Sequence, residues 1–272
     1  MPALTHPAVP GEVLLPPRRA QVAGECDVLV VGGGPAGIGA ALGAAAAGAD
    51  VVLVERYGFL GGNATVCLVS PWMSFHTRRP KPPRLGDKSL LPSDHGEGEP
   101  VVGGKHVEVI ERLITAGGAI APSVGTGYTV PFDPEVFKTV ALDLLDQAQV
   151  RYLLHAFASG VHDDAVILET KSGPLLLRAD MVVDCTGDGD VAAAAGAEYE
   201  IGRESDGLTQ PMTLMARIQD FDREAFAAYV EQHPDQWRGV LGLWDLIARA
   251  TAAGELDLPR EDILFFATTH PR

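Results

Sequence analysis

Two rhythms of apolar and polar residues run along the chain. The first is the short unbroken apolar run, CDVLVV at 26–31 and DVVLVER at 50–56. Valine-rich runs of this length predict parallel strands buried on both faces. Between them lies PAGIGAALGAAAAGA (35–49), whose leading proline suits a helix's first turn and predicts a packed helix. Strand, glycine turn, helix and strand fit within about thirty residues, the size of one βαβ unit.

The second rhythm is helical. KHVEVIERLITAGG (105–118) places apolar residues at 107, 109, 110, 113 and 114 and ends in glycine, which predicts a helix. FDPEVFKTVALDLLDQAQV (132–150) predicts a better one. Asp133 can cap it, Pro134 fits its first turn, and Phe137, Val140, Ala141, Leu144 and Leu145 share a face. RYLLHAF then reads as a strand. AVILETKSGPLLLRADMVVDCTG (165–187) predicts a hairpin turning at Ser172 and Gly173, then a third run, DMVVDC, returning to the central sheet. Beyond Leu208, TLMARIQD predicts a strand, DREAFAAYVEQHP and QWRGVLGLWDLIARATAAGE predict helices, and DILFFATT predicts a last strand with no later element to pair with it.

Punctuation divides the chain. Residues 1–24 hold five prolines and read as an extended arm. Residues 66–104 are rich in Pro, Gly and charge, the mark of a long irregular insertion. This leaves a first domain at 25–205, with its insertion at about 66–104, and an incomplete second domain at 206–272. No internal repeat is present.

Composition narrows the function classes. With 46% hydrophobic and 21% charged residues, the chain fits a soluble globular protein. Its net charge of -15 repels phosphate backbones and anionic membranes, which argues against nucleic-acid and membrane partners. No apolar stretch has the length and purity to span a bilayer. Cys26, Cys67 and Cys185 are far apart, with no CxxC, so no thioredoxin-type pair, zinc knuckle or iron–sulfur run exists. They read as buried free thiols in a reducing compartment. The start lacks a basic segment followed by an apolar run, so it is no secretory signal. A cytoplasmic protein is expected.

The chemistry concentrates in GGGPAG. Gly32, Gly34 and Gly37 form GxGxxG: the first allows a tight turn, the second lets the backbone approach a pyrophosphate, and the third lets helix pack on strand. The following helix start, with Pro35 and Ala36, offers N–H groups and a positive dipole end to phosphates. Glu55 closes the second strand 23 residues after Gly32, where a carboxylate accepts from ribose hydroxyls. A carboxylate there disfavours a 2′-phosphate and hence NADP. Arg56 is either a phosphate contact or a surface charge beside the adenosine. NAD and FAD share this half-site, so the motif alone leaves both open.

Other motifs fail. GGKH at 103–106 lacks Walker spacing, and no HExxH, GxSxG or Cys/His cluster exists. His76, His95, His106 and His155 read as surface or packed residues. TGDGD lacks the calcium-loop spacing, with Tyr199 where a bidentate Glu belongs. Asp188 or Asp190 is expected to cap the VAAAAGA helix.

RYGFLGGNAT (56–65) and VVDCTGDGDVAAAAGAEYEIGRESDGLTQPMTLMARI (182–218) resemble the FAD-dependent oxidoreductase family that includes the flavin part of heterodisulfide-reductase-like proteins. GGGPAG, an ERYGFLGG-type segment, FDPE and a D-x-TGDGD strand end appear here in the family's order. The resemblance covers roughly residues 25–220. It implies FAD as cofactor, flavin redox chemistry and a two-lobed fold of the glutathione-reductase type. The expected fold class is α/β: a Rossmann-like FAD-binding domain, with a parallel sheet, helices and a β-hairpin or meander, plus part of an α+β substrate domain. Gly61 and Gly62 let the backbone run beside a diphosphate. Asn63 and Thr65 follow toward the flavin ring, and Thr186, Gly187 and Asp188 end a strand facing the ligand.

In flavoenzymes the protein supplies position and electrostatics while the cofactor carries the electrons, so no acid–base triad is required and no catalytic residue is assigned. Cys67 stays open between a redox thiol and a buried spectator. Family members continue past FFATTHPR with a segment that returns to the flavin, so the chain is expected to be truncated or one piece of a split protein. Two functions remain. One is a FAD-dependent oxidoreductase moving electrons or hydride to or from a small substrate. The other is a fragment that binds the ADP part of FAD and needs a complementary C-terminal chain. A homo-oligomer is the alternative protein partner. An NAD-dependent dehydrogenase fits the flavoprotein-type segments less well.

Overall fold

The computed structural model describes residues 16–73, 102–122, 129–210, 212–238, 241–257 and 262–264. In chain order the elements are β1 (Gln21–Val31), α1 (Pro35–Ala46), β2 (Val51–Val54), β3 (Pro71–Trp72), α2 (Lys105–Thr115), β4 (Val130–Pro131), α3 (Pro134–Gln147), β5 (Arg151–Leu153), β6 (Phe157–His162), β7 (Ala165–Thr170) and β8 (Gly173–Asp184). They continue with α4 (Asp190–Ala194), α5 (Arg223–Gln232), β9 (Trp237–Arg238), β10 (Leu241–Gly242), α6 (Trp244–Ala252) and β11 (Ile263–Leu264).

The main sheet runs β5-β2-β1-β8-β7-β6. Its first four strands are mutually parallel, and β8, β7 and β6 form an antiparallel meander. Side chains alternate across a strand, and both faces here are covered. Val30, Val51 and Leu53 point into one core with α1, α2 and α3. Leu29, Val31, Val52 and Val54 point into the other, with the meander and Val191 of α4. Double burial is why the sequence shows unbroken apolar runs here. The chain is thus an α/β protein with a Rossmann-like, mostly parallel sheet covered on both faces.

The helices form where the periodicity places them. On α3 all five expected core positions are buried. The Asp133 carboxylate accepts from Glu135 N at 2.7 Å and Val136 N at 3.2 Å. Helix α2 buries Val109, Ile110 and Leu113, and Trp72 of β3 packs between Phe132 and Phe137 at centroid distances of 4.8 and 5.3 Å.

Several expectations need correction. Strand β1 starts at Gln21, inside the expected arm, because its first half pairs with β8 from Leu175 onward. The hairpin's second run and DMVVDC are one 12-residue strand, β8. It is shared between β1 on one side and β7 on the other, so the polar Arg178 and Asp180 interrupt hydrophobicity without interrupting the ladder. RYLLHAF divides into β5 and β6 at His155, where φ is +55°. TLMARIQD forms no strand. Among the described residues it has no ladder partner, and Leu214 is 94% exposed. The expected helix at 236–255 contains β9 and β10 before α6: Gly242 pairs with Trp237, so close that a β-carbon there would strike Gln236 and Trp237. Strand β11 does pair, with the preceding β10. Residues 1–15 of the arm, 74–101 of the insertion (with His76 and His95) and 265–272 lie outside the described residues.

Removing the α3 cap by Asp133→Ala leaves two first-turn amides without that acceptor. It is expected to cost about 1 kcal/mol, read as a lower midpoint in thermal unfolding followed by circular dichroism.

Candidate functional site

The carboxyl ends of β1, β2 and β8 converge on a cavity of about 230 Å³, the place where parallel sheets receive ligands. Its floor is Val31 and Val54, and its walls are the glycine turn, the residues after β2, and Thr186 with Gly187.

The glycine turn is clamped by main chain. Gly32 N donates to Val54 O at 2.8 Å, and Cys185 N donates to Val31 O at 2.7 Å. Gly32 has φ +108°, and a β-carbon there would run into the Cys185 carbonyl. A β-carbon at Gly37 would run into the Gly32 carbonyl oxygen, so α1 can begin this close to the turn only without a side chain. A second loop meets the first. Gly61 N donates to Gly33 O at 2.8 Å, and a β-carbon at Gly62 would sit 2.9 Å from Gly34 Cα. Gly34 caps α1 with no side-chain hydrogen bond and no acidic residue in the first turn, so the first N–H groups have no intrahelical acceptor.

Glu55 is buried, at 5% exposure. Its Oε2 accepts from Gly33 N at 2.6 Å and its Oε1 from Tyr57 N at 2.8 Å. These donors take half of the roughly four acceptor positions of a carboxylate, and the residue borders the cavity. Arg56 is exposed on the rim, its guanidinium 5.0 Å from the Tyr57 ring centroid. Tyr57 stacks on Phe59 at 5.9 Å, so the rim is an aromatic shelf carrying a cation.

The TGDGD loop is organised from below. Asp184 Oδ1 accepts from Thr186 N at 2.9 Å and Thr186 Oγ1 at 2.7 Å, while Oδ2 accepts from Val191 N and Ala192 N, both at 2.9 Å. The expected cap from Asp188 or Asp190 is therefore corrected. Gly189 occupies the cap position of α4 without a side-chain bond, and Asp184 reaches its amides from the strand end. Burial pushes the Asp184 carboxyl up, but its hydrogen-bond donors together outweigh this and hold it below the usual carboxylate range.

Gly32, Gly34, Pro35, Ala36 and Glu55 border the cavity, as do Arg56, Gly62, Asn63, Thr186 and Gly187. Gly37, Gly61, Thr65 and Asp188 do not. Thr65 is buried, and its hydroxyl donates to Leu60 O at 3.0 Å. The Thr186 hydroxyl is committed to its own loop, donating to Asp184 and accepting from Gly189 N and Asp190 N. Cys67 corrects the expectation of a buried thiol: it is exposed at the cavity, its Sγ donating to Asn63 Oδ1 at 3.4 Å. The chain leaves the short turn Gly62–Ala64 with Val66 and Cys67 facing outward. Cys185 borders the same space, and burial, reinforced by the Asp184 charge, pushes its thiol up. His106 packs edge-on against Trp72 at 5.5 Å, and burial lowers its pKa.

Sequence reasoning missed Gly33, Tyr57, Phe157 and Asp184. Gly33 had a signal: a third glycine between two motif glycines, where a β-carbon would lie 2.5 Å from Leu60 Cδ2 and 3.0 Å from Glu55 Oε2. Phe157, 46% exposed on the wall, had none, since HAF carries no spacing.

Residues 27–272 match the family model described as FAD dependent oxidoreductase. No curated protein matches the chain. Among solved structures it is similar to Thermovibrio ammonificans THI4, with 17% identity over 63% of this chain and 61% of that one, TM-score 0.40. It is also similar to a geranylgeranyl bacteriochlorophyll reductase-like protein of Thermoplasma acidophilum, with 16% identity over 64% and 42%, TM-score 0.40. A third is p-nitrophenol 4-monooxygenase PnpA of Pseudomonas putida DLL-E4, with 16% identity over 64% and 43%, TM-score 0.41. The chain thus spans less than two thirds of the length of each. Among the described residues no helix is long and apolar enough to cross a membrane, and no cluster of three or more metal-ligating side chains occurs.

Two glycines separate folding from binding. Gly34→Ala meets only Gly62 Cα, at 3.8 Å. It is expected to melt near wild type while its methyl fills the gap between the loops and abolishes retention of FAD on desalting. Gly37→Ala collides with backbone and is expected to lower the melting midpoint as well.

Acid reveals Asp184. A carboxyl held below its unfolded value, about 3.9, stabilises the fold fully above that pH and loses its contribution as pH falls through the folded value. Asp184→Asn should therefore be less stable at neutral pH, by about 1–3 kcal/mol for lost hydrogen bonds to a charged group. Its melting curve should approach that of wild type only as pH falls past the unfolded value and through the lowered folded one.

Proposed function

The chain belongs to the FAD dependent oxidoreductase family, and from that premise we propose that it holds FAD by the adenosine diphosphate half and serves electron or hydride transfer with a small organic substrate. The observation that carries this reading is the doubled glycine cradle: Gly34 and Gly62 face each other across a gap that any side chain would fill, at the uncapped start of α1. The donor set suits a diphosphate, because first-turn N–H groups and the helix dipole favour negative charge. Glu55, fixed by two backbone donors, retains acceptor capacity for ribose hydroxyls and repels a 2′-phosphate. Phe157 offers a face to an aromatic base, and Arg56 at the rim is a cation beside the adenosine.

When bound, the flavin ring supplies the redox chemistry. The chain's own residues bind and orient. Asn63 and Cys67 border the cavity beyond Gly62 and are the side chains closest in sequence to where the ring end would emerge. The thiol of Cys185, raised by burial and the Asp184 charge, is a neutral wall.

One observation favours the second reading, a fragment that needs a complementary chain. The cavity of about 230 Å³ falls short of the roughly 300–1,000 Å³ of small-molecule sites. It suits the ADP half, leaving the flavin half to be covered by another segment, whether a complementary C-terminal chain or another copy in a homo-oligomer. The cytoplasm remains the proposed compartment.

Purified chain mixed with FAD and desalted should retain flavin absorbance, and ADP should compete for the site. Near-stoichiometric, ADP-resistant retention would support a complete flavin site. Weak, ADP-sensitive binding would support the fragment reading, and no binding of either ligand would overturn both. Glu55→Gln, which turns an amide nitrogen toward a backbone donor, should weaken FAD binding by about tenfold or more. An unchanged affinity would remove Glu55 from the site.

A further inference from the structure

Asp184 does not border the cavity, yet it holds the segment that does. Its carboxylate takes Thr186 N and Oγ1 on one oxygen and the first amides of α4 on the other. Thr186 Oγ1 in turn accepts from Gly189 N at 3.1 Å and Asp190 N at 3.0 Å, so strand end, loop and helix share one pair of side chains. This assembly bears on the glycine turn directly. Gly32 sits so close to the Cys185 carbonyl that no β-carbon fits between them, and Cys185 N is tied to Val31 O at 2.7 Å. Val191, at the start of α4, is buried in the same core as Leu29 and Val31, and α4 lies against β6, whose first residues wall the cavity.

We propose that Asp184 is a positioning residue for FAD: acting through Cys185 and Thr186, it fixes the surface on which the Gly32 turn rests and so holds the diphosphate cradle in its binding shape. This role rests on the function proposed above, and it carries a sign that simple electrostatics does not. An anionic side chain near an anionic ligand repels it, so on Coulombic grounds its neutralisation strengthens binding. A positioning role demands that neutralisation weaken it. The Asn side chain keeps one acceptor but presents an amide N–H₂ to donors that need an oxygen, so Asp184→Asn breaks one side of the network at constant size.

The test pairs Asp184→Asn with Thr186→Ser, which keeps the hydroxyl, and Thr186→Val, which removes it. Ile110→Ala, a buried α2 position whose core cluster with Val130 is separate from the cavity walls, serves as a control for stability loss alone. FAD affinity is titrated for each folded variant, and amide hydrogen exchange is followed in the free chain. Asp184→Asn and Thr186→Val should weaken FAD by about tenfold or more, with Thr186→Ser near wild type and Ile110→Ala little changed. Exchange should quicken at the Gly32 and Gly33 amides as well as at Thr186, Val191 and Ala192. Equal or tighter FAD binding by Asp184→Asn overturns the proposal. So does an equal loss in Ile110→Ala, or faster exchange confined to 186–192. If wild type binds no FAD, the functional reading falls, and the exchange at Gly32 and Gly33 still decides the role of Asp184.

Discussion

The main-chain contact between Gly32 and the Cys185 carbonyl governs the depth of the site, because it sets how near the ends of β1 and β8 can come. Each neighbouring feature follows from that approach. Gly32 adopts a conformation that L side chains rarely reach, α1 starts at once, and Gly37 must lie bare against the turn it leaves. The opening above the strands is then shaped by backbone rather than by side chains. A backbone-lined opening suits a diphosphate, whose charge is met by fixed N–H dipoles instead of mobile cations. That matters in a chain of net charge -15, where a loose lysine would have many rival partners.

Around this contact the carboxylates divide the work. Glu55 faces the cavity but is oriented by Gly33 and Tyr57, so the turn and the post-β2 segment both hold its position. Asp184 lies one layer below and is fully engaged with its own loop. Both are acids at strand ends beside glycine-rich turns, yet one keeps acceptor capacity toward a ligand and the other does not. The difference lies in how many amides surround each, which depends on three-dimensional closure.

How much of this the sequence disclosed depends on the range of the interaction. The βαβ unit, the cap and buried stripe of α3, and the glycine turn with Glu55 were legible because each is written within one or two elements. Asp184 was not, since the motif reads as an acidic loop and the nearby Asp188 and Asp190 look like the natural caps. Thr65 shows the reverse failure: its place after two glycines suggests a ligand contact, but a tight turn swings its hydroxyl back to Leu60. The region after Leu208 was least legible. Strand-like composition at 213–220 has no ladder to join among the described residues, and QWRGVLGLWDLIARATAAGE hides the antiparallel pair of β9 and β10 under a helical rhythm.

The pairing of β1 with β8 also fixes an order of events at the ribosome. The partners meet between Val31 and Asp184, roughly 150 residues apart, which at about 5–20 residues per second separates their emergence by roughly 8 to 30 seconds. Throughout that interval the glycine turn exists without the carbonyl that defines its shape. The nascent βαβ unit can bury one face under its helices while its central strand keeps an open edge. Non-local parallel pairing of this kind is slow to nucleate, so closure of the cradle is among the last steps in the life of a newly made chain, and a nucleotide waiting nearby would meet a finished site only after β8 has arrived.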